Sequence, residues 1–375
     1  MIVNEQDNHE QNSIDPVKEP SLEQWKTLYG LAAELKKLAP WKSLRDHNLL
    51  MIELPKKDEP VFCSVMGGGS MTFGISVYPD YNSFFRLNQL LQAESHIDNM
   101  LQMMNQRCIS CQFGDRDEIE PADRKIIKAL GLRFRGQNQW TYFRSVNPGQ
   151  FPWYLNADEA DILIRTMEQL LPACRSYMNG EVSIDFEEQV MLRRYYSEEE
   201  DSWKMESFST QNFQIPLSGI PLTLTDEVEM ARLKKKKKTK AVLELATAYI
   251  PIPFRSKDGL IRTPHLAVLM DRNTETVIRQ EIMSDPESSE TVPADMLLDY
   301  VMDYGRPSAL HVRTVQDAIS LQDLCSELGI RLHAGGNMDL SNDLFFEFMC
   351  QLGQGLNEDF DDDEGEDDDD DDFFF

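Results

Sequence analysis

The spacing of apolar residues predicts helices and strands along the first half of the chain. Trp25 and several leucines recur at helical spacing after Ser21, a residue type that favours the start of a helix. The runs LLMIELP, VFCSVMG and FGISVYP favour strands, and GGGSMT between the last two indicates a hairpin turn. A Leu- and Met-rich helix is predicted over residues 82–105.

This pattern continues to about residue 180. CISCQFGD indicates a strand, EPADRKIIKALG a short helix ended by Gly131, and LRFRGQNQWTYFRS a second hairpin. Asn156 and Glu159 form a predicted capping box at the start of a helix with apolar residues at core-facing spacing. These elements predict an α+β domain over residues 21–180, with helices beside an antiparallel sheet.

Residues 181–240 have a weaker pattern and are interpreted as a connecting segment. VMLRRYY and WKMESFS favour two strands that pair across SEEEDS. TDEVEMARLKKKKKTK predicts a helix with Thr225 as its N-cap, acids in its first turn and lysines at its end.

A second domain is predicted over residues 241–352. Strands and helices follow one another there in the order βββαβαβα. This order predicts a mixed α/β sheet with right-handed crossovers and helices that cover it. Residues 1–20 and 353–375 lack an apolar pattern and are predicted to be disordered.

Composition and charge narrow the function classes. The 375 residues carry a formal charge of −28, and without the thirteen acids of residues 358–372 it becomes −15. Because nonspecific binding to duplex DNA needs a positive surface, that function is disfavoured. The polar N-terminus lacks a signal-peptide core, and no apolar run reaches the ~18 residues of a membrane span. The sequence therefore predicts a cytoplasmic protein that does not contact membranes.

Residues 113–163 carry a first resemblance. This stretch, from FGDRDEIEPADRK to YLNADEADIL, resembles a family of bacterial proteins described only as domains of unknown function. Members pair this domain with a C-terminal one similar to residues 241–352. The resemblance implies a bacterial source and a two-domain layout, and it implies no activity. The matching positions are Arg135, Gly136, Trp140, Arg144, Pro148, Gly149, Pro152 and Trp153.

The C-terminal element order carries a second resemblance. It is similar to the ribonuclease-H-like fold of nucleases, integrases and transposases. Those enzymes hold two metal ions between converging carboxylates. Here Arg313 stands where a central acid is expected, so a degenerate fold of this class or another α/β sandwich is preferred. A magnesium-dependent nucleic-acid-processing enzyme is the alternative function, with Glu244, Asp271 and Asp317 as its catalytic residues.

Other motifs favour structural interpretations. Cys108 and Cys111 have metal-site spacing, yet two further ligands are missing. MGGGSMTFG joins two strands and lacks a lysine, unlike a phosphate-binding loop. His311 and His333 alternate with apolar residues on strands that could be neighbours; a metal pair is one interpretation, and partly buried strand histidines are the preferred one. The sequence therefore predicts no cofactor and no metal site.

Basic and aromatic residues alternate near the middle of the chain, at Arg135, Trp140, Arg144 and Trp153. Such residues can stack on bases and bind phosphates of single-stranded nucleic acid. On an acidic protein the preferred interpretation is a packed hairpin whose arginines pair with the acids of DRDEIE.

A run of lysines follows in the connecting segment. It could contact nucleic acid or a membrane, or act as a nuclear signal. The preferred interpretation is an exposed helix end, which the helix dipole favours. This strongly positive segment could also face the acidic C-terminus. The run consists of Lys234, Lys235, Lys236, Lys237 and Lys238, flanked by Arg232 and Lys240.

The C-terminus combines the thirteen acids with Phe373, Phe374 and Phe375. It is similar to the tails of bacterial single-stranded-DNA-binding proteins, whose terminal Phe and carboxylate bind a basic-rimmed apolar pocket on partner proteins. The usual penultimate proline is missing here. The tail could bind a partner protein, dock on Lys234–Lys238, or compete with nucleic acid. The leading hypothesis is a non-enzymatic binding protein whose tail docks on a partner or on its own chain.

Overall fold

The computed structural model describes residues 2–4, 18–68, 72–93, 95–186, 190–210, 222–256, 260–283, 291–336 and 338–359, the last eight of them by backbone alone. The chain divides into two compact units. The N-terminal unit comprises Val3–Leu222 and Ser256–Ile261. The C-terminal unit comprises Met1–Ile2, Thr223–Arg255 and Arg262–Phe375.

The first part of the chain, through Leu224, contains five described helices and nine strands. The helices are α1 (Leu22–Leu38), α2 (Tyr81–Leu91), α3 (His96–Met104), α4 (Pro121–Ala129) and α5 (Ala157–Met178). The strands are β1 (Ile2–Asn4), β2 (Leu50–Ile52), β3 (Val61–Met66), β4 (Phe73–Tyr78), β5 (Cys108–Gly114), β6 (Trp140–Val146), β7 (Val190–Ser197), β8 (Ser202–Ser209) and β9 (Leu222–Leu224).

Capping chemistry sets the starts of the two long helices. The Ser21 side chain accepts a hydrogen bond from the Gln24 backbone, and Asn156 forms the predicted capping box with Glu159. Both predicted starts are confirmed. The predicted helix over residues 82–105 is instead divided, because the Ser95 side chain caps a new helix, α3, after α2 has ended.

Seven strands form one sheet in the order β6-β5-β4-β3-β2-β7-β8. All neighbours are antiparallel except β2 and β7, which run parallel. The predicted pairing of VMLRRYY with WKMESFS is confirmed. Because β7 pairs with β2, this hairpin extends the N-terminal sheet rather than lying in a separate connecting segment. Buried residues of α1 and α5 share a core cluster with one face of the sheet.

The hairpin predicted over residues 132–145 is not formed. Its second half is β6, which pairs with β5 rather than with the residues just before it. Gly136 and Asn138 have positive φ angles of 104° and 53°, so the chain turns there instead of extending. This turn brings Arg135 close to Trp140, as described below.

The C-terminal unit contains a five-stranded mixed sheet and four described helices. The helices are α6 (Glu227–Lys234), α7 (Val292–Tyr304), α8 (Val315–Leu328) and α9 (Asp339–Asp359). The strands of the sheet are β10 (Val242–Tyr249), β13 (His265–Asp271), β14 (Thr276–Met283), β15 (Ala309–Val312) and β16 (Arg331–Ala334), and two short strands, β11 (Phe254–Arg255) and β12 (Ile261–Arg262), precede β13.

The C-terminal sheet has the strand order β14-β13-β10-β15-β16. β10, β15 and β16 run parallel, and β13 and β14 are antiparallel. The predicted α+β class with a mixed C-terminal sheet is therefore confirmed. Helix α7 packs on β10 and β13, α8 packs on β15 and β16, and α9 packs on β10 and β13. The backbone of α9 continues to Asp359, within the segment predicted to be disordered, and residues 360–375 lie outside the described residues.

Two negative findings concern thiols and membranes. All six cysteines are free, and Cys108 and Cys111 lie in strand β5, where burial raises the pKa of each thiol. Positions three apart on a strand point to opposite faces, so this pair cannot chelate one ion. Among the described residues, no helix has the length and apolar character needed to cross a bilayer.

Candidate functional site: a basic surface in the C-terminal unit

Arg144 is a structural residue, which corrects its candidacy for nucleic-acid binding. Its Nη1 and Nη2 atoms donate to Oδ1 and Oδ2 of Asp123 at 3.0 and 2.7 Å, and both residues are buried. Burial alone would lower the pKa of Arg144. The hydrogen bonds to Asp123 and the charge of that carboxylate raise this pKa by more, so it lies above its usual value. The predicted pairing with an acid is found, although the acid follows DRDEIE rather than belonging to it.

Arg135 and Trp140 line one depression of about 730 Å³, together with Asp115, Arg116 and Asp117. Trp140 packs against Phe134 with ring centroids 5.9 Å apart, while Arg135 is exposed. Two arginines and two aspartates balance in charge here, so the depression has little attraction for phosphate. Trp153 does not line it.

Trp153 lies on a short extension beside β6. Its backbone exchanges hydrogen bonds of 2.7 and 2.8 Å with Ser145, and its ring packs edge-on against Tyr154. The four residues of the predicted basic and aromatic surface are therefore not one site, because only two of them meet. Phe373, Phe374 and Phe375 lie outside the described residues.

Glu244 is fully buried at the centre of the C-terminal sheet. The Ser341 N–H, in the first turn of α9, donates to its Oε1 at 2.8 Å. Its Oε2 is 3.7 Å from Nε of Arg272. Arg313 also binds the start of α9, since its Nη2 donates to Oδ1 of Asn342 at 2.6 Å. Glu244 therefore holds the first turn of α9 and lies beside the guanidinium of Arg272.

The acids of the alternative function are not brought together. Asp271 pairs in register with Leu243, the neighbour of Glu244, so Asp271 and Glu244 extend from opposite faces of the sheet. Asp317 caps α8 by accepting hydrogen bonds from N–H and O–H of Thr314. Among the described residues, no group of three or more His, Cys, Asp or Glu side chains could hold a metal ion.

The lysine run lies partly outside the helix predicted for it. Helix α6 ends at Lys234, and its N-cap is Asp226, whose carboxylate accepts from Val228 and Glu229, rather than Thr225. Asp226 can reach these two donors because it lies directly before the first turn. Beyond Lys235 the chain leaves the helix and runs toward β10.

Hydrogen bonds to Arg306 hold this extended segment in place. Arg306 N–H donates to the Lys237 carbonyl at 2.9 Å, Arg306 Nε donates to the Lys236 carbonyl at 3.0 Å, and Thr239 N–H donates to the Arg306 carbonyl at 2.8 Å. Ser308 continues this contact, because its N–H donates to Ala241 O at 2.8 Å. Arg331 Nε in turn donates to the Ser308 carbonyl at 3.2 Å.

Two helix ends attract these cations. Lys236 Nζ donates to the carbonyl of Met302 in the last turn of α7, and Arg306 Nη1 donates to the carbonyl of Leu328 at the end of α8. Carbonyl groups at a helix C-terminus carry partial negative charge and favour cations. We name the resulting cluster the basic surface. It consists of Lys234, Lys235, Lys236, Lys237, Lys238, Lys240, Arg306 and Arg331.

Among the described residues, most of the outer lysines of the basic surface have no acidic partner. Lys234 pairs with Glu327 at 2.8 Å. Lys235, Lys237, Lys238 and Lys240 are exposed, and no carboxylate of the described residues lies within ion-pair distance of their amines. Lysines held side by side without acids repel one another, so a polyanion would bind there favourably.

The comparisons with known proteins follow this division of the chain. Residues 25–194 match a family model described as a domain of unknown function (DUF7309), and residues 229–349 match a second such model (DUF6930). Both halves of the chain carry domains of unknown function. The resemblance of the sequence to such domains is confirmed to this extent. No curated protein matches the chain.

One similar solved structure is the cryo-EM structure of the simian T-cell lymphotropic virus intasome in complex with PP2A regulatory subunit B56 gamma. The match has 21% identity and a TM-score of 0.22, and it covers 34% of this chain and 44% of that chain. The match thus covers less than half of that solved chain. A likeness with this TM-score carries no argument about the function of either domain.

Sequence reasoning missed Arg306, Arg331 and Arg272. The first two lie about seventy and a hundred residues after the lysine run, and only the pairing of β10 with β15 and of β15 with β16 brings them to it. One signal for Arg306 was present in the sequence. Arg306 follows Gly305 at the predicted end of a helix and precedes β15, and the lysine run precedes β10, the parallel neighbour of β15.

Proposed function

We propose that this protein is a non-enzymatic binding protein whose basic surface holds acidic protein segments, with its own acidic C-terminus as an occupant. The observation that carries the proposal is the row of exposed lysines fixed through Arg306 without acidic partners among the described residues. The rest of the chain is strongly acidic, with a formal charge of −28 overall, so this cluster is a local exception that favours acidic ligands.

The C-terminus can reach the basic surface. Helix α9 ends at Asp359, and sixteen residues follow it. Fully extended, they would span about 50 Å, whereas a domain of this size has a radius of gyration of only about 15 Å. The acids of residues 358–372 supply the complementary charge, which supports the proposal.

Phe373, Phe374 and Phe375 add no side-chain charge. We assign them no contact on the basic surface. A partner with an acidic segment of its own would compete with the C-terminus, so the tail would set the threshold for binding.

The test uses a chain that ends at Leu356 and a fluorescent peptide of residues 357–375. We expect the shortened chain to bind the peptide, with affinity that falls as salt rises, because the Debye length shrinks from ~10 Å at 0.1 M to ~3 Å at 1 M. The full chain should bind it more weakly, because its own C-terminus already occupies the surface. Fluorescence anisotropy measures both affinities.

A charge-reversed variant makes this test specific. Lys235→Glu, Lys237→Glu and Lys238→Glu together should weaken peptide binding by about tenfold or more. The variant spares Lys236 and Arg306, which hold the fold. The matched control reverses Arg124, Lys125 and Lys128, which are exposed residues of α4. It should bind the peptide as well as the unaltered shortened chain does, and therefore about tenfold better than the lysine-reversed variant. Equal loss in the two variants would mean that net charge alone matters.

The alternative of a nucleic-acid-processing enzyme gains no comparable support. Its three acids lie on different faces and elements, and Glu244 is used to anchor α9. We therefore do not propose it.

A further inference from the structure

A second polar cluster lies on the C-terminal sheet, apart from the exposed lysines. His311 of β15 and His333 of β16 are partners in register, and their rings stack with centroids 4.7 Å apart and an interplanar angle of 24°. Glu244 of β10 is the register partner of His311, so all three side chains lie on one face. His311 is partly exposed and His333 is exposed.

Arg272 belongs to this cluster through Glu244, because its Nε lies 3.7 Å from Oε2 of that carboxylate. Its N–H donates to the Val242 carbonyl at 2.8 Å, which fixes its backbone beside β10, and 27% of its side chain is exposed. Its charge and that of His333 lower the pKa of His311, after the larger effect of burial, while Glu244 raises it. The register places Glu244 beside His311, His311 stacks on His333, and Arg272 lies 3.7 Å from Glu244, so the four side chains form one cluster.

The donors of this cluster are available. Within the part of the chain that the structure describes, neither imidazole donates a hydrogen bond, and the Arg272 guanidinium makes only its 3.7 Å ion pair with Glu244. Glu244 is fully buried, its Oε1 accepts a hydrogen bond from the Ser341 N–H, and its Oε2 lies 3.7 Å from Arg272 Nε. Arg331, two residues before His333 on the same strand face, adds an exposed cation at the rim.

We propose that Arg272, His311 and His333 form a binding site for a phosphate group. A guanidinium and two imidazoles from three neighbouring chain segments can donate to separate oxygens of a tetrahedral group, whereas a planar carboxylate offers only two. A phosphate monoester is close to a dianion at pH 7, so the Arg272 guanidinium would attract it. The site goes beyond the proposed function, because it uses none of the lysines.

The experiment follows the imidazole NMR signals of the full chain during a titration with inorganic phosphate at constant ionic strength. We expect the signals of His311 and His333 to shift and the pKa of His311 to rise, because a bound anion stabilises the protonated ring. His47 and His96, exposed histidines of the N-terminal unit, serve as internal controls and should not respond. No response from His311 and His333, or an equal response from the controls, would overturn the site.

A second titration, with phosphoserine, identifies the source of the phosphate. A response to inorganic phosphate alone indicates free phosphate as the ligand, and a response to both indicates phosphate carried on a larger molecule. Either result supports the site.

Variants separate this site from the basic surface. His311→Asn with His333→Asn should weaken phosphate binding about tenfold or more, while His47→Asn with His96→Asn should leave it unchanged. The Lys235, Lys237 and Lys238 reversal should keep phosphate binding even as it loses the acidic peptide. Loss of phosphate binding in that lysine variant, with retention in the histidine variant, would overturn the proposal in favour of the lysines.

Discussion

Replacing Asp123 with alanine is expected to lower the free energy of unfolding by about 3–5 kcal/mol, because it leaves the charge of Arg144 buried without its partner. The two side chains are 5% and 10% exposed, so water cannot replace the lost carboxylate. The rings of Tyr142 and Tyr154 lie within 5.3 Å of the guanidinium and give only a partial substitute. Urea unfolding followed by tryptophan fluorescence measures the change.

The matched control for this prediction is Asp161→Ala. Asp161 is exposed and forms an ion pair with the half-buried Arg165 one helical turn away, and removing this pair should cost less than about 0.5 kcal/mol. The double change Asp123→Leu with Arg144→Met should recover much of the loss, because no charge stays buried. A cost below about 1 kcal/mol for Asp123→Ala would contradict the structural role of Arg144 and return it to the candidates for ligand binding.

Replacing Glu244 with alanine is expected to lower the free energy of unfolding by about 2–4 kcal/mol. The change removes the acceptor of the buried Ser341 N–H and the partner of Arg272, and it leaves a cavity beneath α9. The first turn of α9 also loses a negative charge that its dipole favours. Thermal and urea unfolding would both report this loss.

The stability change also separates the two functions considered for Glu244. Glu244→Gln keeps an acceptor oxygen and should cost only about 1 kcal/mol. Catalytic acids often lower stability, because active sites trade stability for activity. An alanine variant as stable as the natural chain, or more stable, would therefore contradict the anchoring role and favour the enzyme alternative.

Much of the fold could be predicted from local sequence signals. Ser21 and the pair Asn156 and Glu159 mark helix starts with side chains that act within three residues. The order of elements after residue 240 predicted a mixed sheet, because parallel neighbours require helical crossovers. The break at Ser95 was missed, because its apolar neighbours continue the helical spacing on both sides of it.

Long-range pairing explains what the sequence could not predict. The partner of Arg144 proved to be Asp123, since β6 pairs with β5 and the predicted hairpin does not form. The basic surface depends on Arg306, which reaches the lysines through parallel pairing of β10 and β15. The alignment of His311 with His333 likewise depends on register, which a single sequence does not specify.

The central claim is that the acidic C-terminus docks on the basic surface of its own chain. Carbodiimide cross-linking tests it directly, because the reagent joins carboxylates to amines that are in contact, and mass spectrometry locates each link. At low salt we predict monomeric products with links from residues 361–372 to Lys235, Lys237 and Lys238, and loss of these links near 1 M salt, where the Debye length is ~3 Å. An absence of such links, or equal linking to Lys125 and Lys128 of the N-terminal unit, would contradict the claim.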